Sequence, residues 1–157
     1  MRDILFRGKR VDSGKWIEGF YFHFHKTTYC FADDDDGNND IHRIAYEEMS
    51  DWNLPNRHLM TDVDPETIGQ YTGLTDKNGK RIFEGDIIKE TTDNELLVVE
   101  GTTAWGFDFR YVDEEDAYTT AFDIGIDDNA YLRTSIVVGN IYDNPELLER
   151  KENKNES

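Results

Sequence analysis

Along most of the chain, apolar and polar residues alternate with the period of two that marks β-strands, and clusters of turn-forming residues cut the alternation into short segments. Ile4 to Val11 reads as a strand, Asp12-Ser13-Gly14-Lys15 carries turn chemistry, and Trp16 starts the return strand of a hairpin. In Phe20-Tyr21-Phe22-His23-Phe24-His25, the period puts the three phenylalanines on one face and Tyr21, His23 and His25 on the other. One face is expected in the core and the other partly wet. Thr27 to Ala32 is expected to continue the sheet, and Asp33 to Asp40 reads as a solvated acidic loop. Ile41 to Tyr46 forms a further short strand, whereas Glu47 to Met60 lacks a clean period and reads as a connection with one helical turn.

The second half is more regular. Ile68 to Thr72 is strand-like, Asp76-Lys77-Asn78-Gly79 supplies Asn-Gly for a hairpin turn, and Arg81-Ile82-Phe83 leads back. Glu84-Gly85-Asp86 turns the chain into Ile87-Ile88-Lys89. Glu95 to Thr103 contains Leu96, Leu97, Val98 and Val99, apolar on both faces, which marks a central, buried strand. Trp105 to Val112 alternates cleanly, with Trp105, Phe107, Phe109 and Tyr111 on one face and Asp108 and Arg110 on the other. Two more strands are expected at Tyr118 to Ile124 and Ser135 to Tyr142. Asn144 as N-cap and Pro145 at the first helical position predict a short helix from Glu146 to about Lys151.

These readings give a mostly β fold, with antiparallel strands in barrel-like or meander sheets and a short C-terminal α-helix. The expected division is an N-terminal β subdomain over residues 1–60 carrying the acidic loop, a C-terminal β subdomain plus helix over 61–152, and a disordered tail at 153–157.

Composition narrows the function classes. Thirty-four acidic against 17 basic residues give a net charge of −17 with the histidines neutral. Such a field repels phosphate backbones, so direct nucleic-acid binding is not expected. The same charge favours solubility, attraction to a basic partner, or imitation of nucleic acid. Cys30 is the single cysteine, so no intramolecular disulfide can form. The N-terminus lacks the layout of a secretory signal and no segment approaches the length of a membrane span, so a cytoplasmic protein without membrane contact is expected.

The segment Pro65-Glu66-Thr67-Ile68-Gly69-Gln70-Tyr71-Thr72-Gly73-Leu74 is followed by Asp76-Lys77-Asn78-Gly79-Lys80 and by Ile82-Phe83-Glu84-Gly85-Asp86-Ile87-Ile88. Together these resemble the signature of the YopX family of bacteriophage and prophage proteins. Phe6-Arg7-Gly8-Lys9 with Trp16 and Gly19 supports the resemblance at the front, and Val138-Gly139-Asn140-Ile141-Tyr142-Asp143-Asn144-Pro145-Glu146-Leu147-Leu148 at the back. The least family-like part runs from Asp33 to Asn56. The resemblance implies a β-rich fold, a phage or prophage origin and a bacterial host cell as the setting. It carries no assigned activity and no catalytic residues.

The residues themselves offer few chemical constellations. His23 and His25 lie two apart on one strand face and can point at one metal ion, but a third ligand has to come from elsewhere, with His42 or Glu18 the first partners to consider. Aligning Gly37 with the glycine of a calcium loop places Asp34 and Asp36 correctly but puts Ala32 first and Arg43 last, which spoils the match. Glu66, Gln70, Tyr71, Thr72 and Asp86 lie close to tight turns and are candidates for a shared binding surface. The sequence contains no Gly-rich phosphate loop, and no catalytic residue or cofactor is assigned. The expected function is that of a non-enzymatic accessory protein acting by protein contacts and self-association, with an exposed Trp52 or Tyr71 at an oligomer face as its sign. The alternatives are an acidic decoy for the nucleic-acid site of a host protein and a metal-dependent enzyme.

Overall fold

The structure, a computed structural model, describes residues 4–25, 40–91, 94–102, 106–113, 117–120 and 134–149. The expected strand at Thr27 to Ala32, Cys30, the acidic loop around Gly37, Trp105 and the C-terminal tail lie outside the described residues. The chain forms two compact units that meet in sequence at Gln70 and Tyr71.

In the first unit, β1 (Phe6–Lys9) and β2 (Trp16–His25) form the hairpin anticipated around Gly14. The turn is closed by Arg10 N–H donating to the Lys15 carbonyl at 2.9 Å and Gly14 N–H donating to the Arg10 carbonyl at 2.8 Å. β3 (Asp40–Glu48) pairs antiparallel with β2, and β4 (Arg57–Asp62) with β3, which makes an up-and-down meander. The start of β5 (Gly69–Thr75) pairs on the far side of β1. Residue 60, where the sequence suggests a boundary, lies inside β4, and the stretch read as a connection ends in this strand. β4 escapes the pattern because its face toward the interior carries only Leu59 and Thr61, both half-buried.

The buried face of this sheet is small. Ile44 and Val63 are its fully buried apolar side chains, and Gly8 and Gly19 let them close in. A Cβ at Gly19 would stand 2.1 Å from the Ala45 carbonyl oxygen, so no other residue fits that crossing without moving β3.

In the second unit, the rest of β5 turns through Asp76-Lys77-Asn78-Gly79 into β6 (Arg81–Phe83). Gly79 has φ +80°, as the Asn-Gly turn requires. Asp76 anchors that turn: one carboxylate oxygen accepts the N–H groups of Asn78 and Lys80 at 2.8 and 2.9 Å, and the other accepts Val137 N–H at 3.1 Å. β7 (Asp86–Glu90), β8 (Leu96–Thr102), β9 (Gly106–Tyr111), β10 (Tyr118–Thr120) and β11 (Ser135–Asn140) form one antiparallel sheet in the order β10-β9-β8-β7-β11.

Both faces of this sheet are covered. On one, Ile82, Ile88, Leu97, Val99 and Phe109 form a cluster joined by Leu74, Phe107, Tyr111 and Val137. On the other, Ile87, Val98 and Val112 pack with Leu96, Val138, Ile141, Leu147 and Leu148. That is why Leu96 to Val99 is apolar at every position: successive side chains enter opposite cores.

Two expectations need correction. The sheets are open, not barrel-like: β10 and β11 stand at opposite edges, whereas a barrel joins its first strand to its last. The meander alternative describes β1 to β4 and β7 to β10. The C-terminal α-helix is a single 3-10 turn, Pro145–Leu148, with Leu147 N–H donating to the Asn144 carbonyl. Asn144 does not cap it. Its Oδ1 accepts Asn140 N–H at 3.4 Å, and the turn serves to bring Leu147 and Leu148 onto the second core cluster. Four residues are too few to recover the cost of nucleating an α-helix.

Candidate functional site

The alternation in β2 continues into β3 through the pairing register, which sets Tyr21 opposite Ile44, His23 opposite His42, and His25 opposite Asp40. Directly opposed residues share a face. The interior face of the β2–β3 hairpin therefore runs from buried Ile44 outward to a polar end made of His23, His25, Asp40 and His42.

These groups interact closely. The His23 and His42 rings stack with centroids 4.7 Å apart and planes 6° from parallel. His23 Nε2 lies 3.3 Å and His25 Nδ1 2.9 Å from the same oxygen of Asp40. The Tyr21 hydroxyl is 2.6 Å from His42 Nδ1. The hydrogen bond from His23 holds the Asp40 carboxyl below its ordinary range; slight desolvation opposes this, and the charges of His23 and His25 add to the lowering. Partial burial, with the negative charge of Asp40 adding, raises the Tyr21 phenol and keeps it neutral. One ligand atom each from His23, Asp40 and His42 lie within 4.8 Å of one another.

Of the two histidines singled out from the sequence, His23 thus enters a three-residue group, with His42 as its directly opposed neighbour. His25 contacts Asp40 from the side. Asp40 was not anticipated, because only the strand register reveals that it faces His25.

The opposite face of the same sheet has another character. Phe20, Phe22 and Phe24 are 59, 42 and 39% exposed, so the stripe expected in the core faces solvent. The register brings Ile41, Arg43 and Ala45 from β3, and His58, Met60 and Asp62 from β4, onto that face. Trp16 and Glu18 from β2, with Arg7 and Lys9 from β1, extend it. Arg43 bonds Asp62 through Nε and stands over the Phe24 ring at 5.8 Å. Arg7 and Lys9 stand over the Trp16 ring at 4.8 and 5.3 Å. Among the described residues, the charged ones on this face are three basic (Arg7, which is buried, with Lys9 and Arg43) and three acidic (Glu18, Glu47, Asp62), so the face is far less acidic than the chain as a whole, whose net charge is −17. In the connection from β3 to β4, Trp52 is fully exposed, and Met49 and Leu54 are exposed beside it in sequence.

The residues proposed from the family signature are mostly occupied in holding the fold. In the first unit, Glu66 is exposed in the 3-10 turn Pro65–Thr67 and donates its N–H to Asp64, while Gln70 is half-buried opposite Phe6. In the second unit, Tyr71 is half-buried against the Phe83 ring, with the Arg81 guanidinium 5.9 Å from its centroid. Thr72 and Asp86 are each 1% exposed. The Thr72 hydroxyl donates to the Ile82 carbonyl, and the Asp86 carboxylate accepts Phe83 N–H at 2.8 Å across the turn made by Gly85 at φ +82°. Neither side chain is available to a binding surface.

Comparison with curated proteins finds no match. Among solved structures, the chain is similar to protein EF1440 from Enterococcus faecalis, with 23% identity and a TM-score of 0.51 over 95% of this chain and all of that one. This likeness concerns the fold alone. The family described as YopX protein matches residues 5–149, which takes in both hairpins, the Glu84-Gly85-Asp86 turn and the C-terminal 3-10 turn: the chain belongs to the YopX family.

Proposed function

We propose that this protein is a phage or prophage accessory factor that acts in the bacterial cytoplasm by protein contact, with a second copy of the chain as its first partner. The observation that carries the reading is the exposed stripe Phe20, Phe22 and Phe24. Three adjacent phenylalanines on one strand face form an apolar surface of the kind that soluble proteins cover with a partner. Its setting favours a like partner: elsewhere the acidic charge repels a second copy, but here Arg7, Lys9 and Arg43 balance Glu18, Glu47 and Asp62. A twofold arrangement sets such a mixed surface against itself without the like-charge repulsion that an acidic face would meet. Exposed Trp52 adds an aromatic anchor on the same hairpin system. Family membership supports the phage setting.

The test is sedimentation of the purified chain over a range of concentrations, with wild type beside the triple variant Phe20→Ser, Phe22→Ser, Phe24→Ser. The wild type is expected to reach dimer mass, and the variant to remain monomeric with an unchanged circular-dichroism spectrum. A wild type that stays monomeric throughout removes the self-association reading.

A further inference from the structure

We propose that the polar end of the β2–β3 hairpin binds one divalent transition-metal ion through His23, His42 and Asp40. Two imidazoles and one carboxylate are a donor set suited to zinc, cobalt or iron(II), with the remaining positions left to water, and ill suited to the hard ions calcium and magnesium. The fold delivers that set from two strands whose register fixes all three residues.

The geometry is close to what an ion demands. Metal–ligand bonds of about 2.0–2.1 Å in a tetrahedral shell place neighbouring ligand atoms roughly 3.3 Å apart. His23 Nε2 and Asp40 Oδ1 already stand at 3.3 Å. The widest separation in the group is within 4.8 Å, and the remaining closure is a matter of side-chain rotation, since His23 and Asp40 are exposed. His42 is set up by its outer partner: with Nδ1 held at 2.6 Å by the Tyr21 hydroxyl, Nε2 is the nitrogen left to coordinate. The Tyr21 hydroxyl oxygen can accept a hydrogen bond from Nδ1–H and so select the tautomer whose Nε2 lone pair is free to ligate. His25, 2.9 Å from the same Asp40 oxygen, orients the carboxylate from outside.

Coordination also has a structural consequence. Parallel rings with centroids 4.7 Å apart lie in separate planes, and a ligating nitrogen's lone pair lies in its ring plane, so both can reach one ion only if the rings tilt toward each other. Loading therefore breaks the His23–His42 stack and links β2 to β3 where β2 ends and β3 begins. The surface lies on the face opposite the phenylalanine stripe, so this inference stands apart from the self-association reading.

The test uses the untagged chain, freed of metal with chelator and titrated with cobalt(II) near neutral pH. Absorption in the visible range and calorimetry are read together, and zinc displacement follows. Wild type is expected to bind one equivalent, with calcium and magnesium failing to displace it. His23→Ala and His42→Ala each lose more than about tenfold in affinity, and Tyr21→Phe loses about tenfold, the effect of removing an outer partner. His58→Ala, the histidine outside the group, serves as the control and binds like wild type. Proton spectra of the imidazoles report the tilt. Absence of cobalt binding, or equal affinity of His42→Ala and His58→Ala, overturns the proposal.

Discussion

The central strand of the second unit, β8, has Leu97 and Val99 in one core cluster and Val98 in another, whereas β2 in the first unit buries little along either side. Both are long antiparallel strands rich in apolar residues. What separates them is the chain on each flank. In the second unit, Ile82 with Leu74 covers one face of the sheet, and the 3-10 turn with Leu147 and Leu148 covers the other. In the first unit, Ile44 and Val63 fill a shallow interior face, and the phenylalanine face receives nothing from the described residues. Stability is thus concentrated in one region and available surface chemistry in the other, which is where function has room to reside.

The sharpest test of that contrast compares equal truncations. Phe109→Ala removes a fully buried ring from the first core cluster of the second unit and is expected to cost about 3–5 kcal/mol, read by denaturant unfolding. Phe22→Ala removes the same ring from the open face and, measured at concentrations where the chain is monomeric, is expected to cost about 1 kcal/mol or less. Equal effects at the two positions would break the comparison.

Asp76 tests the second unit from its polar side. Desolvation pushes its carboxyl up, but the N–H groups of Val137, Lys80 and Asn78 together hold it below the ordinary value. Asp76→Asn turns an amide N–H₂ toward backbone donors and is expected to cost about 1–3 kcal/mol. Because the folded group titrates lower than the unfolded one, its contribution is complete above the ordinary aspartate range and is lost as pH falls through the lowered folded value. Urea midpoints measured down the acid range should therefore fall for wild type and leave the Asp76→Asn variant less affected.

Much of this was legible from local pattern. The Asn78-Gly79 turn, the doubly apolar run at Leu96 to Val99 and the alternation of Phe107 and Phe109 each state their structure within a few residues. Period-two alternation also sorted the faces of β2 correctly, yet it could not decide which face is covered, since that depends on how much apolar chain returns over it. Phe20, Phe22 and Phe24 read as core by composition and lie open, while Thr72 and Asp86 read as surface by polarity and lie buried, because each satisfies a backbone group inside a turn. The histidine site was half legible. His23 and His25 are visible as neighbours on one face and His42 as a partner to consider, whereas Asp40 joins them only through the pairing register of β2 and β3.

Two smaller effects sharpen the contrast within the first unit. Breaking the Arg43–Asp62 pair with Asp62→Asn should change stability by less than about 1 kcal/mol, as for other exposed pairs, and should weaken dimerisation instead if that face mates with a second copy. Thermal unfolding and sedimentation of the same variant separate the two outcomes.

The last test concerns Asp40 and is read by its titration. Its carboxyl is lowered chiefly by the hydrogen bond from His23, with the charges of His23 and His25 contributing. Followed by carboxyl carbon resonance in metal-free protein, Asp40 should titrate below an ordinary aspartate in wild type and move back toward the ordinary value in His23→Ala. His25→Ala should move it in the same direction, and His58→Ala should leave it where it is, since His58 faces Glu47 on the opposite side of the sheet. A shift with His58→Ala as large as with His23→Ala would mean that the overall charge of the chain sets the titration. A shift confined to His23→Ala and His25→Ala would mean that the polar end of the hairpin is a coupled local group, already assembled before any ion reaches it.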